Sequence, residues 1–314
     1  MRNPLLRLLT AATLAICATS LHAQGAATRI VVPFAPGGAQ DVIGRYLAER
    51  LATRTGSTVI VENKAGAGGV IAADAVAKAP ADGRTLLLAT GGAITIAPHL
   101  NPKLGYDPRK DFVPVALVAD TPMTLATRAQ SPYTNVADVL KDARDNPGRV
   151  SYASTGNGTI SHLTGELLAQ SAGVQLLHVP YRGAGPAITD LLGGQVALMV
   201  TSAASIEPMV LDKKARVLAS FTRERIGALQ GAPTMTEAAG LKGLEVPVWV
   251  GLLAPSGTPQ ASVDKLAADL VAICRQPETQ ERFKALGAAT TCGGPADLAR
   301  VIAEDDGRWE RVIQ

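Results

Sequence analysis

Four loops rich in glycine and hydroxyl residues follow predicted strands and are the stretches best suited to holding a ligand. They are PFAPGGAQD (33–41), NKAGAGG (63–69), TGG (90–92) and STGNGT (154–159). Glycines let ligand atoms approach the backbone, and a helix that begins there presents unpaired N–H groups. A carboxylate can accept several such hydrogen bonds without any arginine. Together the loops favour an anion site over the alternative that each is only a tight turn.

Two classes of enzyme could use such loops. A dinucleotide-binding protein would carry an acid where Glu62 ends the second predicted strand, but the sequence after Gly37 lacks the further glycines of that fingerprint. A hydrolase is conceivable from spacing, because Ser154 precedes His162 and Glu166 on one predicted helix. No G-x-S-x-G motif is present. We favour a His162 that hydrogen-bonds the loop or packs beneath it, and we predict no catalytic residue.

Two charged residues lie where they could support a ligand site. Arg182, in the PYRGAGP turn, could reach a carboxylate or be an ordinary solvated turn residue. Asp41, near the start of the first predicted helix, could complement the helix dipole, order the Gly37–Gly38 loop or hold a bridging water. The sequence leaves these alternatives open.

The first 23 residues have the features of an export signal. Arg2 and Arg7 supply positive charge, an apolar run follows, and LHA ending at Ala23 is a plausible cleavage site. The apolar run is shorter than the about 20 residues that a membrane span needs, and Ile16 before Cys17 disfavours a lipoprotein signal. A retained anchor is the less favoured alternative, so we expect export and cleavage near Ala23.

Composition limits the kind of protein. The chain has 314 residues, which suits two compact domains, with 47% hydrophobic but only 4% aromatic residues. Loss of the signal removes two arginines and no acid, so 30 basic and 27 acidic residues become 28 and 27. Because Lys and Arg are not clustered, we expect no nucleic-acid partner.

The exported chain would keep two cysteines, Cys274 and Cys292. In an oxidising compartment such a pair favours one disulfide, with two buried free thiols as the alternative. Closing that loop would contribute ~3 kcal/mol in the chain-entropy account. No C-x-x-C occurs, and His99, His162 and His178 are scattered. We therefore expect no metal and no cofactor.

Strand and helix patterns alternate along the chain. A β-branched run over 29–34 precedes helical spacing over 40–53. The second half repeats the order strand, glycine loop, helix, with a strand over 149–153 and a helix over 160–171. This alternation predicts a parallel sheet covered on both faces by helices.

Two linkers divide the pattern into two domains. One lies near Thr121–Pro122 and the other within 223–246. We predict domain 1 over 24–122 plus 246–314, and domain 2 over 123–245. Two crossings between domains imply a hinge and a cleft that can close around a ligand.

Long segments resemble the Bug family of periplasmic solute-binding receptors, the extracytoplasmic components of tripartite tricarboxylate transporters. The resemblance covers nearly the whole chain after the signal. It rests on IVVPFAPGGAQDVIGRYLA, VIVENKAGAGGVIAADAVAKAPADGRTLLLAT, GRVSYASTGNGTISHLTGELLAQSAG, HVPYRGAGPAITDLLGGQVALM and GLLAPSGTP, in that order. It implies an α/β, two-domain periplasmic-binding-protein fold of the Venus flytrap, type II-like kind with two crossover connections. A pair like Cys274 and Cys292 also occurs as a disulfide in part of the family.

The resemblance also implies a ligand site. The family holds one ligand carboxylate between the loop after the first strand and the Ser/Thr-Gly loop of the second lobe, partly through ordered waters. The matching residues here are Phe34, Gly37, Gly38 and Asp41, facing Ser154, Thr155, Gly158 and Thr159. The turn at Tyr181 and Arg182 and the loop at Thr201 and Ser202 would hold the distal end, and Gly69, Thr90 and His162 complete the predicted set.

One departure from the family bears on the ligand. Many relatives place an acidic or amide pair, as in FDN, where this chain has Thr201 and Ser202. A carboxylate there could pair with a ligand ammonium more strongly than hydroxyls can. We therefore expect a preference for carboxylates that lack an amino group. Ala197, where relatives often carry Asp, is interpreted as a surface change without effect on the ligand.

These inferences predict a monomeric, non-enzymatic periplasmic receptor for a small carboxylate, such as a dicarboxylate. It would deliver the ligand to the membrane permease subunits of a tripartite tricarboxylate transporter. An exported hydrolase using the same cleft is the first alternative. A receptor that reports ligand binding to a signalling partner is the second.

Overall fold

The computed structural model describes residues 27–226, 229 and 231–313. The predicted export signal therefore lies outside the described residues. The chain forms two lobes, each built on one sheet. Among the described helices, none combines the length and apolarity needed to cross a bilayer.

Lobe 1 is built on a six-stranded sheet in the order β11-β4-β10-β3-β1-β2. Its strands are β1 (Thr28–Val32), β2 (Val59–Asn63), β3 (Thr85–Ala89), β4 (Phe112–Asp120), β10 (Trp249–Pro255) and β11 (Ala289–Gly293). β1 pairs in parallel with β2 and β3, whereas β10 runs antiparallel to its neighbours β3 and β4.

Lobe 2 is built on a five-stranded sheet in the order β7-β6-β8-β5-β9. Its strands are β5 (Met123–Arg128), β6 (Ser151–Ser154), β7 (Leu177–Pro180), β8 (Leu198–Ser202) and β9 (Ala215–Ser220). β6 pairs in parallel with β7 and β8, and β5 is antiparallel to β8 and β9.

Both sheets are thus mixed, which corrects the expectation of a parallel sheet. The cause is the crossing between lobes. β4 ends at Asp120 and β5 begins at Met123 in the other lobe, and β9 ends at Ser220 before the chain returns as β10. A strand that enters from the other lobe starts at the edge where the parallel strands end, so it runs in the opposite direction.

Helices cover both sheets. In chain order they are α1 (Ala39–Thr55), α2 (Val70–Ala77), α3 (Ala97–Leu100), α4 (Val136–Asp145), α5 (Ile160–Ala172), α6 (Ala184–Leu192), α7 (Ala203–Leu211), α8 (Met235–Ala239), α9 (Gln260–Cys274), α10 (Pro277–Lys284) and α11 (Pro295–Ile313). A 3₁₀ turn at Ala67–Gly69 precedes α2, and a π-helical turn at Gly92–Ile96 precedes α3. The predicted two-lobed α/β architecture is confirmed.

The core of each lobe is aliphatic, as the low aromatic content predicts. Ile30, Ile43 and Leu252 belong to a buried cluster of lobe 1. Val246 and Trp309 pack in the main cluster of lobe 2, although both were expected in domain 1. The far end of α11 therefore contributes to the core of the second lobe.

Cys274, the last residue of α9, is joined to Cys292 of β11 by a disulfide. Their Cα atoms are 5.3 Å apart, within the range that this bond requires. The disulfide predicted from the sequence is thereby confirmed, and it ties a helix of lobe 1 to the edge strand of its sheet.

Candidate functional site

A small cavity of about 30 Å³, which we call the inner cavity, lies where the two lobes meet. That volume is enough to hold a water molecule. Its walls come from both lobes, and most of the lining side chains are polar and uncharged. They are Phe34, Gln40, Thr90, Met123, Thr155, Thr159, Ile160, Ser161, Thr201, Ser202, Ser205 and Val248. Among these residues, none carries a formal charge.

Three helices begin at the inner cavity. α1 starts after Gly38 and contributes Gln40, α5 starts after Thr159, and α7 starts after Ser202. The N-terminus of a helix carries a partial positive charge and unpaired N–H groups. Their meeting at one buried cavity with uncharged lining residues is an arrangement that favours an anion over a cation.

Hydroxyl groups at the end of β8 face this cavity. Thr201 is fully buried, and its Oγ1 has no hydrogen-bond partner within the described part of the chain. Ser202 Oγ and Ser205 Oγ are 2.9 Å apart, and Ser205 Oγ accepts the N–H of Ala39 across the lobe interface at 3.3 Å. An unpaired buried hydroxyl carries a desolvation penalty. Thr201 is therefore set up to hydrogen-bond a bound molecule.

The glycine-rich loop of lobe 2 uses several of its amides internally. Thr155 N–H donates to Ser161 Oγ at 3.2 Å, and Gly156 N–H donates to Ser154 Oγ at 3.1 Å. Gly158 N–H donates to His162 Nδ1 at 3.2 Å. In this conformation the loop presents hydroxyls rather than these amides to the cavity.

A pair of stacked histidines supports that loop from below. The rings of His162 and His178 lie 4.0 Å apart at 17°. His178 Nε2 is 2.6 Å from Ser154 Oγ, whereas His162 bonds the loop at Gly158, as we predicted. Burial lowers the pKa of His162, and burial together with the neighbouring His162 lowers the pKa of His178 to about 4. Both rings are therefore neutral at pH 7.

Asp41 organises the loop of lobe 1 and does not line the inner cavity. Its carboxylate accepts hydrogen bonds from Gly37 N–H at 3.0 Å, Arg45 Nε at 3.0 Å and Asn63 Nδ2 at 2.8 Å. Burial alone would raise the pKa of Asp41, but these hydrogen bonds outweigh it and hold the pKa below its usual value. Asn63 also donates to Phe34 O at 3.0 Å, so one network fixes the turn next to the cavity.

A second, larger cavity of about 360 Å³, which we call the outer cavity, opens between the glycine-rich loops of the two lobes. Gly69, Tyr181 and Arg182 line it, and Phe34 and Thr155 border both cavities. Tyr181 donates its hydroxyl to Asp190 at 2.7 Å. The outer cavity therefore adjoins the inner one.

The loops on either side of the outer cavity touch each other. A Cβ on Gly68, whose φ is +64°, would lie 2.6 Å from the carbonyl oxygen of Asn157 in the other lobe. Only glycine fits such an approach at that backbone conformation. Ala35 N–H also donates to Arg182 O at 3.3 Å across the interface. The structure is therefore a closed form, with the lobes in contact around the cavities.

The structure places the predicted ligand residues in three groups. Phe34, Thr90, Thr155, Thr159, Thr201 and Ser202 line the inner cavity. Gly69, Tyr181 and Arg182 line only the outer one. Gly37, Gly38, Asp41, Ser154, Gly158 and His162 line neither and shape the loops behind the walls.

Sequence reasoning missed Gln40, Ser161 and Ser205. All three lie in the first turn of α1, α5 or α7. A polar side chain in the first turn of a helix that follows a predicted strand and loop is a signal that could have identified them.

The sequence profile of the tripartite tricarboxylate transporter family receptor, TctC, matches residues 43–314. The chain belongs to this family. The match covers most of both lobes, and the family that we inferred from the motifs is confirmed.

Two relatives at the sequence level are similar over most of their length. A Pseudomonas sp. (strain P51) protein, the UPF0065 protein in the tcbD-tcbE intergenic region, is 42% identical over 283 residues, covering 90% of this chain and 84% of that protein. BugT of Bordetella pertussis is 33% identical over 287 residues, covering 91% of this chain and 88% of BugT. The second of these carries the Bug name that the motifs suggested.

Solved structures with the same fold include two with a bound organic acid. Rpa4515 of R. palustris with adipate has a TM-score of 0.88 and 34% identity, covering 91% of this chain and 96% of its own. MatC from Rhodopseudomonas palustris with bound malate has a TM-score of 0.87 and 35% identity, covering 92% and 99%. The periplasmic binding protein BugD has a TM-score of 0.87 and 39% identity, covering 91% and 96%. These structures confirm the two-domain binding-protein fold.

Proposed function

We propose that this TctC-family receptor captures a small dicarboxylate or related organic acid in the inner cavity and delivers it to a tripartite tricarboxylate-type permease in the membrane. The observation that carries the proposal is the convergence of three helix N-termini on a buried cavity without a charged side chain among its lining residues. A carboxylate is the common biological group that gains from such an environment. The adipate and malate bound to two relatives support the same ligand class.

Capture requires the lobes to separate first. The inner cavity of about 30 Å³ leaves little room for a ligand, and the loops at Gly68 and Asn157 meet at the outer cavity. The ligand would bind to an open form and stabilise a closed form by contacts that need both lobes. The crossings at Asp120–Met123 and Ser220–Trp249 supply the hinge, with domains divided near residues 122 and 245.

The end of β8 suggests which acids are favoured. Thr201 and Ser202 supply hydroxyls where a carboxylate would be needed to hold an ammonium group. Burying an ammonium without a paired anion is unfavourable. The receptor would therefore prefer malate or succinate to aspartate. A calorimetric titration in which aspartate outcompetes both would refute this preference.

Membership of the family supports a periplasmic location. Export with cleavage near Ala23 would place a monomer in the periplasm, where BugD is also located. Two measurements test this part of the proposal. Mass spectrometry of the periplasmic fraction should give a mature protein beginning at Gln24, and a membrane pull-down should recover permease subunits rather than a sensor protein.

A hydrolase remains the alternative from another class, since Ser154 and His178 are in hydrogen-bond contact. However, Ser154 is fully buried and its hydroxyl also accepts the N–H of Gly156. A nucleophile must reach its substrate, so this arrangement supports a role in shaping the loop. Turnover of carboxylate esters that is abolished by Ser154→Ala would reverse the assignment.

The deciding experiment is to identify the ligand. Native mass spectrometry of the purified protein is followed by a thermal-shift panel of mono-, di- and tricarboxylates. An acid at 100 times its dissociation constant should add about 2.7 kcal/mol of stability, which is a rise of a few degrees in a chain of this size. If no acid in the panel shifts the melting temperature while a neutral or cationic solute does, the proposed function is wrong.

A further inference from the structure

The first residues of α7, in lobe 2, pack against residues of lobe 1. Ala204 belongs to the same buried cluster as Phe283 and Ala288, which flank the turn between α10 and β11. Gly287 in that turn lies so close that a Cβ there would be 3.0 Å from Glu207 Oε2 and 3.1 Å from Ala204 N. Glu207 therefore sits at a direct contact between the lobes.

The Glu207 carboxyl is buried at this contact without a partner. The residue is 4% exposed, and its Oε2 makes no hydrogen bond within the described part of the chain. α7 has no second titratable side chain, and neither has the facing turn 285–288. The nearest titratable residue on α10 is the exposed Lys284.

Charged groups on the other elements packed against α7 are engaged elsewhere. On β9, Arg216 donates to Tyr133 O and Ala129 O. On β5, the Arg128 guanidinium packs against Gly194. On α1, Asp41 is held by Arg45 and Asn63. Within the described structure burial is the one influence that shifts the pKa of Glu207, and no neighbouring positive charge opposes it.

We propose that closure of the two lobes is coupled to the uptake of one proton by Glu207, so that the receptor closes more readily as the pH falls. The inference rests on the proposed function only in taking closure as the step that traps the ligand. Separation of the lobes would expose Glu207 to water and allow it to ionise. Closure would bury it again, and a lone buried carboxylate is strongly disfavoured.

The direction of the effect follows from burial. Burial raises the pKa of Glu207 from the ordinary value of 4.5 to about 7 in the closed form. Between these two values the closed form holds a proton that a solvent-exposed Glu207 in the open form would lack. By linkage, protons then favour the closed form, and the effect disappears above pH 8. We expect the dissociation constant for the ligand to be ~10-fold lower at pH 6 than at pH 8.

The test measures closure without any ligand. Fluorescent labels are attached at Ile60→Cys in lobe 1 and Leu177→Cys in lobe 2, both of which are well exposed. Single-molecule energy transfer is then recorded from pH 8 to pH 5.5. We expect the closed population to rise as the pH falls. Glu207→Gln, which resembles the protonated acid, should remain at the low-pH level throughout. The exposed Glu224→Gln serves as the matched control and should behave like the parent.

Two further measurements separate the inference from the proposed function. Thermal unfolding of the parent should show stability rising as the pH falls through 7, and this rise should be absent in Glu207→Gln. Calorimetry with adipate and malate in buffers of different ionisation enthalpy should show uptake of close to one proton at pH 6.

The outcomes differ for the two ideas. If an acid binds but neither proton uptake nor closure depends on Glu207, the inference is overturned and the function stands. If neither acid binds while closure still follows the protonation of Glu207, the inference stands and the choice of ligand is wrong. If Glu207→Gln and the parent show the same closure profile, Glu207 has no part in closure.

Discussion

The backbone N–H of Ala39, the first residue of α1 in lobe 1, donates a hydrogen bond of 3.3 Å to Ser205 Oγ in the first turn of α7 in lobe 2. Both groups are buried, and Ser205 lines the inner cavity. The first N–H groups of a helix have no partner within the helix. Here one of them is satisfied only when the lobes are together, so this bond belongs to the closed form.

Replacement of Ser205 by alanine should weaken ligand binding. The variant leaves Ala39 N–H without its partner in the closed form, whereas in the open form that group can be hydrated. A net hydrogen bond is worth about 1 kcal/mol, so the dissociation constant should rise about fivefold, mainly through faster release. Stopped-flow and calorimetric titration with the acid found by the panel measure both quantities.

The exposed Ser171 near the end of α5 provides the control for this prediction. Ser171→Ala should leave the affinity unchanged. If Ser205→Ala binds as tightly as Ser171→Ala, the bond between the lobes does not contribute to closure.

Replacement of Thr201 by valine should affect binding far more than stability. Thr201 Oγ1 is buried and has no hydrogen-bond partner among the described residues, so an isosteric methyl group removes no hydrogen bond seen in the structure. A bound acid would lose one hydrogen bond to a charged group, which is worth about 1.5–3 kcal/mol, or roughly a tenfold to hundredfold loss of affinity. Calorimetry and thermal unfolding are compared on the same preparation.

Thr124→Val is the matched control for Thr201→Val. Thr124 is also fully buried, but its Oγ1 donates to Thr201 O at 2.9 Å and does not line the inner cavity. This variant should lose stability while its affinity changes little. If Thr201→Val instead loses stability while its affinity changes little, Thr201 is a structural residue and not a ligand contact.

The sequence predicted the elements that local signals specify. The β-branched run of β1 and the apolar spacing of α1 are local patterns, and α5 is marked by Thr159 as its N-cap and Gly173 as its C-cap. Strand directions were missed because they depend on the crossing between lobes. In the predicted parallel sheet, β10 would run in the same direction as β3, so it would have to begin at the edge of the sheet far from the cleft.

The candidate site was predicted only in outline. The loops are visible as glycine patterns, but which atoms of a loop face inward depends on tertiary contacts. Ser154 was expected at the ligand, yet its hydroxyl points to His178 24 residues later. Gln40 and Ser205 reach the cavity because helices from different lobes meet there. Their place in a first turn marks them as candidates, but spacing within one segment does not show which first turns meet.

The protein should lose stability in mild acid through His178. Its pKa is lowered to about 4 by burial and by the neighbouring His162, whereas an unfolded chain has the ordinary value of 6.5. The unfolded state therefore takes up a proton first, and the contribution of His178 to stability falls as the pH drops from 6.5 to 4, opposite in sign to the contribution proposed for Glu207. In a Glu207→Gln background, His178→Gln should flatten this part of the profile of melting temperature against pH. His99→Gln, in a separate contact with Asp306, should retain it. An unchanged profile in His178→Gln would place the acid sensitivity elsewhere.

Removal of the disulfide should cost stability without affecting the ligand. The bridge joins residues 18 apart in sequence, for which chain entropy gives ~3 kcal/mol. The double variant Cys274→Ser, Cys292→Ser should therefore melt about 5 °C lower in a chain of this size. Reducing agent should lower the melting temperature of the parent by a similar amount and leave the double variant unchanged. Because neither cysteine lines the inner or outer cavity, affinity for the acid should stay within about twofold. A large loss of affinity would mean that the bridge controls the position of β11, and with it the turn that faces α7.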